Sequence, residues 1–123
     1  MTLVTDSPLL AWPGAVAVPE AGSPDAGTAW HYGDPFAEQR SAVRSVAVVD
    51  RSHRGVIAVP GDDRLAWLHT LTSQFFTTLG DLTGTEALVL DPHGHVEDHM
   101  VVGHSDGTVW LECEGFRTGP LLD

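Results

Sequence analysis

The sequence predicts an α+β fold, an antiparallel-rich sheet with one packed helix in the order β-β-α-β-β-β. Three observations carry that expectation. Short runs rich in Val, Ile and Thr recur between Gly-, Pro- and Asp-containing turns. Between two of those runs Leu65, Leu68, Leu71, Phe75 and Leu79 follow the i, i+3, i+7 rhythm of a buried helical stripe. The chain has 123 residues, the length of one small domain, and its 42% hydrophobic content suffices for a core.

Taken in order, residues 1–34 read as an extended arm, because most of the eight prolines and several glycines fall there or just after. Within it Trp12–Pro19 is expected to give one short edge strand. Residues 35–123 form the domain proper. Pro35 suits a first helical turn after an Asp34 cap, with Phe36, Val43 and Val46 on one face. Two strands follow, Val46–Asp50 and Gly55–Val59, joined by the polar turn 51–54. Pro60-Gly61 ends the second, and Asp62 or Asp63 caps the leucine-striped helix, expected to run to Leu79. Three more strands are expected at Glu86–Asp91, His95–Val102 and Thr108–Cys113, separated by Pro-His-Gly and Ser-Asp-Gly turns. The closing run Glu114–Asp123 reads as the approach to a second helix that does not develop, as expected of a piece of something longer.

Composition excludes several classes of partner. Seventeen acidic residues against six basic ones give a net charge of −11, and all six basic residues are arginines with no cluster. Phosphate backbones and anionic membrane surfaces attract concentrated Lys and Arg, so neither nucleic acid nor membrane is an expected partner. Cys113 is the only cysteine, which rules out an internal disulfide and suits a reducing cytoplasm. Neither a Gly-x-Ser-x-Gly elbow nor a phosphate-cradling glycine loop occurs.

The densest chemistry lies in Asp91–His104, with four of the seven histidines and three acidic residues. On an extended strand His95, Glu97, His99 and Val101 share one face, and Val96, Asp98, Met100 and Val102 the other. The run His93-Gly-His95-Val-Glu97-Asp98-His99 resembles the His-x-His-x-Asp-His signature of metallo-β-lactamase-like hydrolases but has one residue too many. A His-rich metal-binding module is thus a subsidiary reading; the bland one makes His93, His95 and His104 solvent-facing. Asp98 stands among apolar neighbours, so it is either a structural carboxylate held by amides or an arginine, or a polar anchor at the bottom of a pocket.

Five segments in order resemble the family of the glycine cleavage T-protein and the folate-binding protein YgfZ. They are His31-Tyr-Gly33 with Glu38 and Arg44; Val48-Val-Asp50-Arg-Ser52, similar to "F-D-x-S"; Val59-Pro-Gly61-Asp-Asp63-Arg-Leu-Ala-Trp-Leu68, similar to "V-x-G-x-D-A-x-x-F-L"; Leu90-Asp-Pro-His-Gly94-His-Val96, similar to "L-x-x-x-G-x-V"; and the strand through Val101-Val102. The resemblance implies the first half of a duplicated folate-binding domain, with tetrahydrofolate as the ligand of the complete protein. The missing C-terminal half would be a partner, and the exposed sheet edge a place for self-association.

It also implies a site beside the strand His95–Val102. The family's acidic pair falls on Asp98 and His99, so the second carboxylate of the aminomethyltransferases is replaced by an imidazole. A neutral imidazole supplies no fixed negative charge. Whether the chain is an enzyme is therefore left open, and the Arg54 position is a second departure. The balance moves to a YgfZ-like, tetrahydrofolate-dependent accessory factor for iron–sulfur enzymes, with aminomethyl transfer as the alternative. The expected folate-binding residues are His99 first, then Asp98, with Leu88 and Val102 as apolar walls.

Overall fold

A computed structural model describes residues 6–123, which fall into two compact units divided between His53 and Arg54. The fold is mixed α+β, and its strands pair antiparallel.

In the first unit a 3-10 turn at Pro8–Ala11 is capped by Ser7, whose hydroxyl accepts from Leu9 N at 3.1 Å. Strands β1 (Val16–Ala17) and β2 (Ala29–His31) form a two-stranded ribbon. Helix α1 (Pro35–Arg44) begins as the sequence predicts: Asp34 accepts from Ala37 N at 2.9 Å and Pro35 sits in the first turn. Its apolar face is not buried, however, since Phe36 and Val43, like Val46 beyond it, are exposed. The strand expected at Val46–Asp50 does not form either; the segment carries no ladder, and Val48 and Val49 are exposed. β-propensity needs a partner edge, and among the described residues of this unit the only strands are two and three residues long.

The second unit is built on β3 (Gly55–Pro60), β4 (Thr83–Leu90), β5 (Val96–Ser105) and β6 (Thr108–Cys113), in the order β3-β6-β5-β4. β5 and β6 are joined by Asp106-Gly107, both at positive φ, the backbone that matches strand twist in a two-residue hairpin. β3 and β4 lie at opposite edges, so the connection between them crosses one face of the sheet. Helix α2 (Arg64–Leu71) lies in that connection.

The core forms on the crossed face. Leu68 from α2 and Phe76 beyond it join Ala87, Met100, Val102, Val109, Leu111 and Cys113, with Leu65, Leu79 and Leu121 packed around them. The helix is shorter than the leucine rhythm suggests. It ends at Leu71, where Thr72 turns extended and both its N–H and its hydroxyl donate to Leu68 O. Residues 73–74, in the bend that follows, then seal the outer edge of β4. Ser73 N donates to Leu88 O at 2.9 Å, Leu88 N donates to Ser73 Oγ at 3.1 Å, and Gln74 Nε2 donates to Glu86 O at 3.0 Å. Satisfying an edge outweighs continuing a helix. As a result Phe76 is fully buried, whereas Phe75, expected in the stripe, is 60% exposed, and Leu71 also faces solvent.

At the end of the described chain the short helix α3 (Thr118–Leu122) lies back on the sheet. Thr118 crosses so close to β3 that a Cβ on Gly55 would stand 1.8 Å from its hydroxyl, which explains glycine there.

Phe76 and Phe75 separate the two readings of this segment. Phe76→Ala is expected to lower unfolding free energy by about 3–5 kcal/mol, as for other buried aromatic truncations. Phe75→Ala is expected to cost about 1 kcal/mol or less, because it loses mainly an edge contact with His69. Urea unfolding of both variants checks the ranking.

Candidate functional site

β5 carries most of the chemistry, and its alternation sorts the candidate residues onto two faces. Asp98, Met100, Val102 and His104 point to the covered face, while His99 and Val101 point to the open one. The pattern slips at a bulge, where Val89 pairs with Asp98 but Leu90 pairs with Val96. The extra residue re-aims the strand start, so Val96, expected on the apolar face, is exposed.

Asp98 is 7% exposed and gripped by one arginine. Arg117 Nε donates to Oδ1 at 2.6 Å and Nη2 to Oδ2 at 2.8 Å, a bidentate fork. This hydrogen bonding raises the pKa of Arg117 against the opposing effect of desolvation. The pair ties the turn at Gly115–Arg117 to the start of β5. Of the two roles the sequence leaves open for Asp98, the geometry is that of the structural carboxylate.

His104 is buried rather than solvent-facing. Its Nδ1 lies 3.1 Å from Gly80 O and its Nε2 2.9 Å from Arg64 Nη2. A neutral ring with the proton on Nδ1 satisfies both partners. His93 and His95 belong to the exposed turn before β5. There Asp91 Oδ1 accepts from His93 N and His95 N, both at 2.8 Å, and Oδ2 lies 2.8 Å from His95 Nδ1. The His95 side chain, then its amide, hold the Asp91 carboxyl below its usual range. Among the described residues no three His, Cys, Asp or Glu side chains converge on a point that could hold a metal ion.

His99 is half-exposed on the open face, with Leu88 as its cross-strand partner and Glu86 Oε2 3.3 Å from its Nε2. Val102 lies behind the sheet, so it cannot wall the same surface as His99. Register defines what does. Val56, Glu112, Val101 and Glu86 form one row across the four strands, and Ala58, Trp110, Gly103 and Gly84 the next. Trp110 is 44% exposed beside two residues that lack side chains, and a Cβ built on Gly103 would meet nothing within 4 Å. The result is an open face with the indole and two glycines in one row, Val101 and Glu112 beside Glu86 in the next, and His99 beyond them. Glu112 lies in salt-bridge contact with Arg54, Nε to Oε1 2.5 Å, and Arg54 also pairs with Glu114. Burial works against the charge on Arg54, but the two glutamates outweigh it and raise its pKa.

Trp110, Glu86 and the two glycines escaped sequence reasoning. Their adjacency depends on strand register, although the alternation around Trp110 already placed it opposite Val109 and Leu111.

The chain's second unit is therefore a one-sided antiparallel sheet with a polar-flanked, aromatic open face. No protein-family model matches the sequence, and no curated protein matches it as a relative.

Two measurements test this description. Arg117→Met leaves the Asp98 carboxylate buried without its fork and is expected to cost roughly 1–3 kcal/mol in urea unfolding. Pairing it with Asp98→Leu should recover a large part of that loss, since replacing both partners removes the stranded charge. At the turn, a carboxyl whose folded pKa is depressed contributes stability above its unfolded value near 4, lost as pH falls through the folded value. Thermal melts from pH 6 to pH 2 should therefore show a shallower acid limb for Asp91→Asn.

Proposed function

We propose that this chain is a folate-binding, YgfZ-like segment, and that the complete protein serves iron–sulfur enzymes in a tetrahydrofolate-dependent manner. The observation that carries the reading is the open face of β5: Trp110 in one row with Gly103 and Gly84, and the Glu86–His99 pair on the same face beyond Val101. A pterin is a flat heteroaromatic ring whose 2-amino group and N3–H form a donor pair. Its ring suits an aromatic neighbour beside the open space over Gly103, and the donor pair suits a carboxylate such as Glu86. The five family-like segments, in order, support the same reading from the sequence side. Asp98 then serves the site indirectly, by fixing the strand that presents His99.

Aminomethyl transfer is the second reading. Glu86 Oε2 lies 3.3 Å from His99 Nε2, so an adjacent strand brings a carboxylate close to the position where the transferases have aspartate.

Tetrahydrofolate titration followed by tryptophan fluorescence tests the proposal. Glu86→Gln and His99→Ala in the complete protein should each weaken binding about tenfold or more, the cost of losing a hydrogen bond to a charged group. The 123-residue chain, holding half of the pocket, should bind at least about tenfold more weakly than the complete protein, since fewer contacts order the ligand. Equal affinities, or quenching that survives Trp110→Phe, would move the ligand off this face.

A further inference from the structure

The first unit holds a second, separate site that the folate reading does not use. A cavity of about 350 Å³ is lined by Leu9, Trp12, Tyr32, Val48 and Asp50. That volume lies at the lower end of the range of small-molecule pockets. Its walls are almost entirely apolar, with two aromatic rings, and a single carboxylate interrupts them.

The carboxylate is held by neutral donors. Asp50 Oδ1 accepts from Ser52 N at 3.0 Å and from Ser52 Oγ at 2.7 Å. Oδ2 is shielded from solvent, and the Ser7 hydroxyl is a further donor to the carboxylate. The Tyr32 hydroxyl is likewise shielded and unpaired. The Ser7 hydroxyl, followed by the Ser52 hydroxyl and amide, holds the Asp50 carboxyl below its ordinary value. It is therefore an anion at neutral pH. These donors are all neutral, and a carboxylate withdrawn from water is costly without a cationic partner. No basic side chain lines the cavity to supply one.

We propose that this cavity binds a small organic amine in its protonated form, with the ammonium against the Asp50 carboxylate and an apolar body against Leu9 and Val48. Three features select that chemistry over others. The carboxylate repels anions and meets only neutral donors from the protein. Trp12 and Tyr32 add aromatic rings to the wall, and ring faces attract cations through their quadrupoles. The remaining wall is hydrocarbon, which favours an alkyl or aryl substituent over a polar one. Bare metal ions are a poor match, because they require several oxygen ligands and this cavity offers one carboxylate.

Benzylammonium is a suitable probe, with benzyl alcohol as its neutral isostere. Titration of each into the 123-residue chain would be followed by the indole N–H signal of Trp12, assigned by its loss in Trp12→Phe. The amine should shift that signal saturably, and the alcohol should bind at least about tenfold more weakly, because only the cation adds a charge-assisted bond. Asp50→Asn keeps an oxygen for Ser52 and so preserves the turn; in it the amine should lose its advantage over the alcohol. Trp12→Leu retains an apolar wall without the ring, and it should weaken the amine more than the alcohol. Equal binding of amine and alcohol to the native chain would overturn the proposal. So would displacement of the amine by tetrahydrofolate acting on the same Trp12 signal, which would instead place a pterin here.

Discussion

A four-stranded sheet covered on one face only is the constraint from which the second unit's other features follow. One eight-residue helix spans too little to cover that face, so an irregular segment completes the task with Phe76 and Leu79. The same segment seals β4, which forces the helix to stop at Leu71. On the uncovered face large side chains are interleaved with glutamates and glycines, so no continuous apolar patch arises around Trp110. Packing on one side thus determines which residues remain for chemistry on the other.

Arginine is scarce in this acidic chain, and the second unit uses all three of its own internally. Arg54 joins Glu112 and Glu114, Arg64 joins Gly61 O and His104, and Arg117 joins Asp98. Each links segments distant in sequence, and each removes a cation from the pool available to an outside anion. A ligand of the open face is therefore met by carboxylates and an imidazole. Such a surface favours molecules with clustered N–H donors over phosphates or carboxylates.

Local signals in the sequence were reliable where a residue's own backbone chemistry decides the outcome. The Asp34 cap before Pro35, the Asp106-Gly107 turn and the strand Thr108–Cys113 are of that kind. What escaped depends on partners far along the chain. Leu71 and Phe75 continue a helical rhythm, but Ser73 and Gln74 leave the helix in a bend and bond the edge of β4 instead. Val46–Asp50 has the composition of a strand, yet lacks an edge to join. Asp98 stood out as an anomalous carboxylate, while its partner Arg117 lies 19 residues later and nothing local links them. The cavity around Trp12 and Tyr32 was equally hidden, because its walls come from two stretches of the proline-rich arm and a third at residues 48–50.

The strand order β3-β6-β5-β4 also carries a message about how the sheet assembles. β4, β5 and β6 are consecutive and joined by short turns, so each pairing closes a small loop. β3 meets β6 only after the chain between Pro60 and Thr108 has been brought back. Closing that long loop costs roughly 2 kcal/mol more in chain entropy than closing a tight hairpin. Non-local pairings of this kind form late. The meander bearing His99, Glu86 and Trp110 can thus be in register before β3 docks. β3 is also the strand whose detachment returns the most entropy, so opening of the sheet should begin at that edge and reach the β4–β5 pair last.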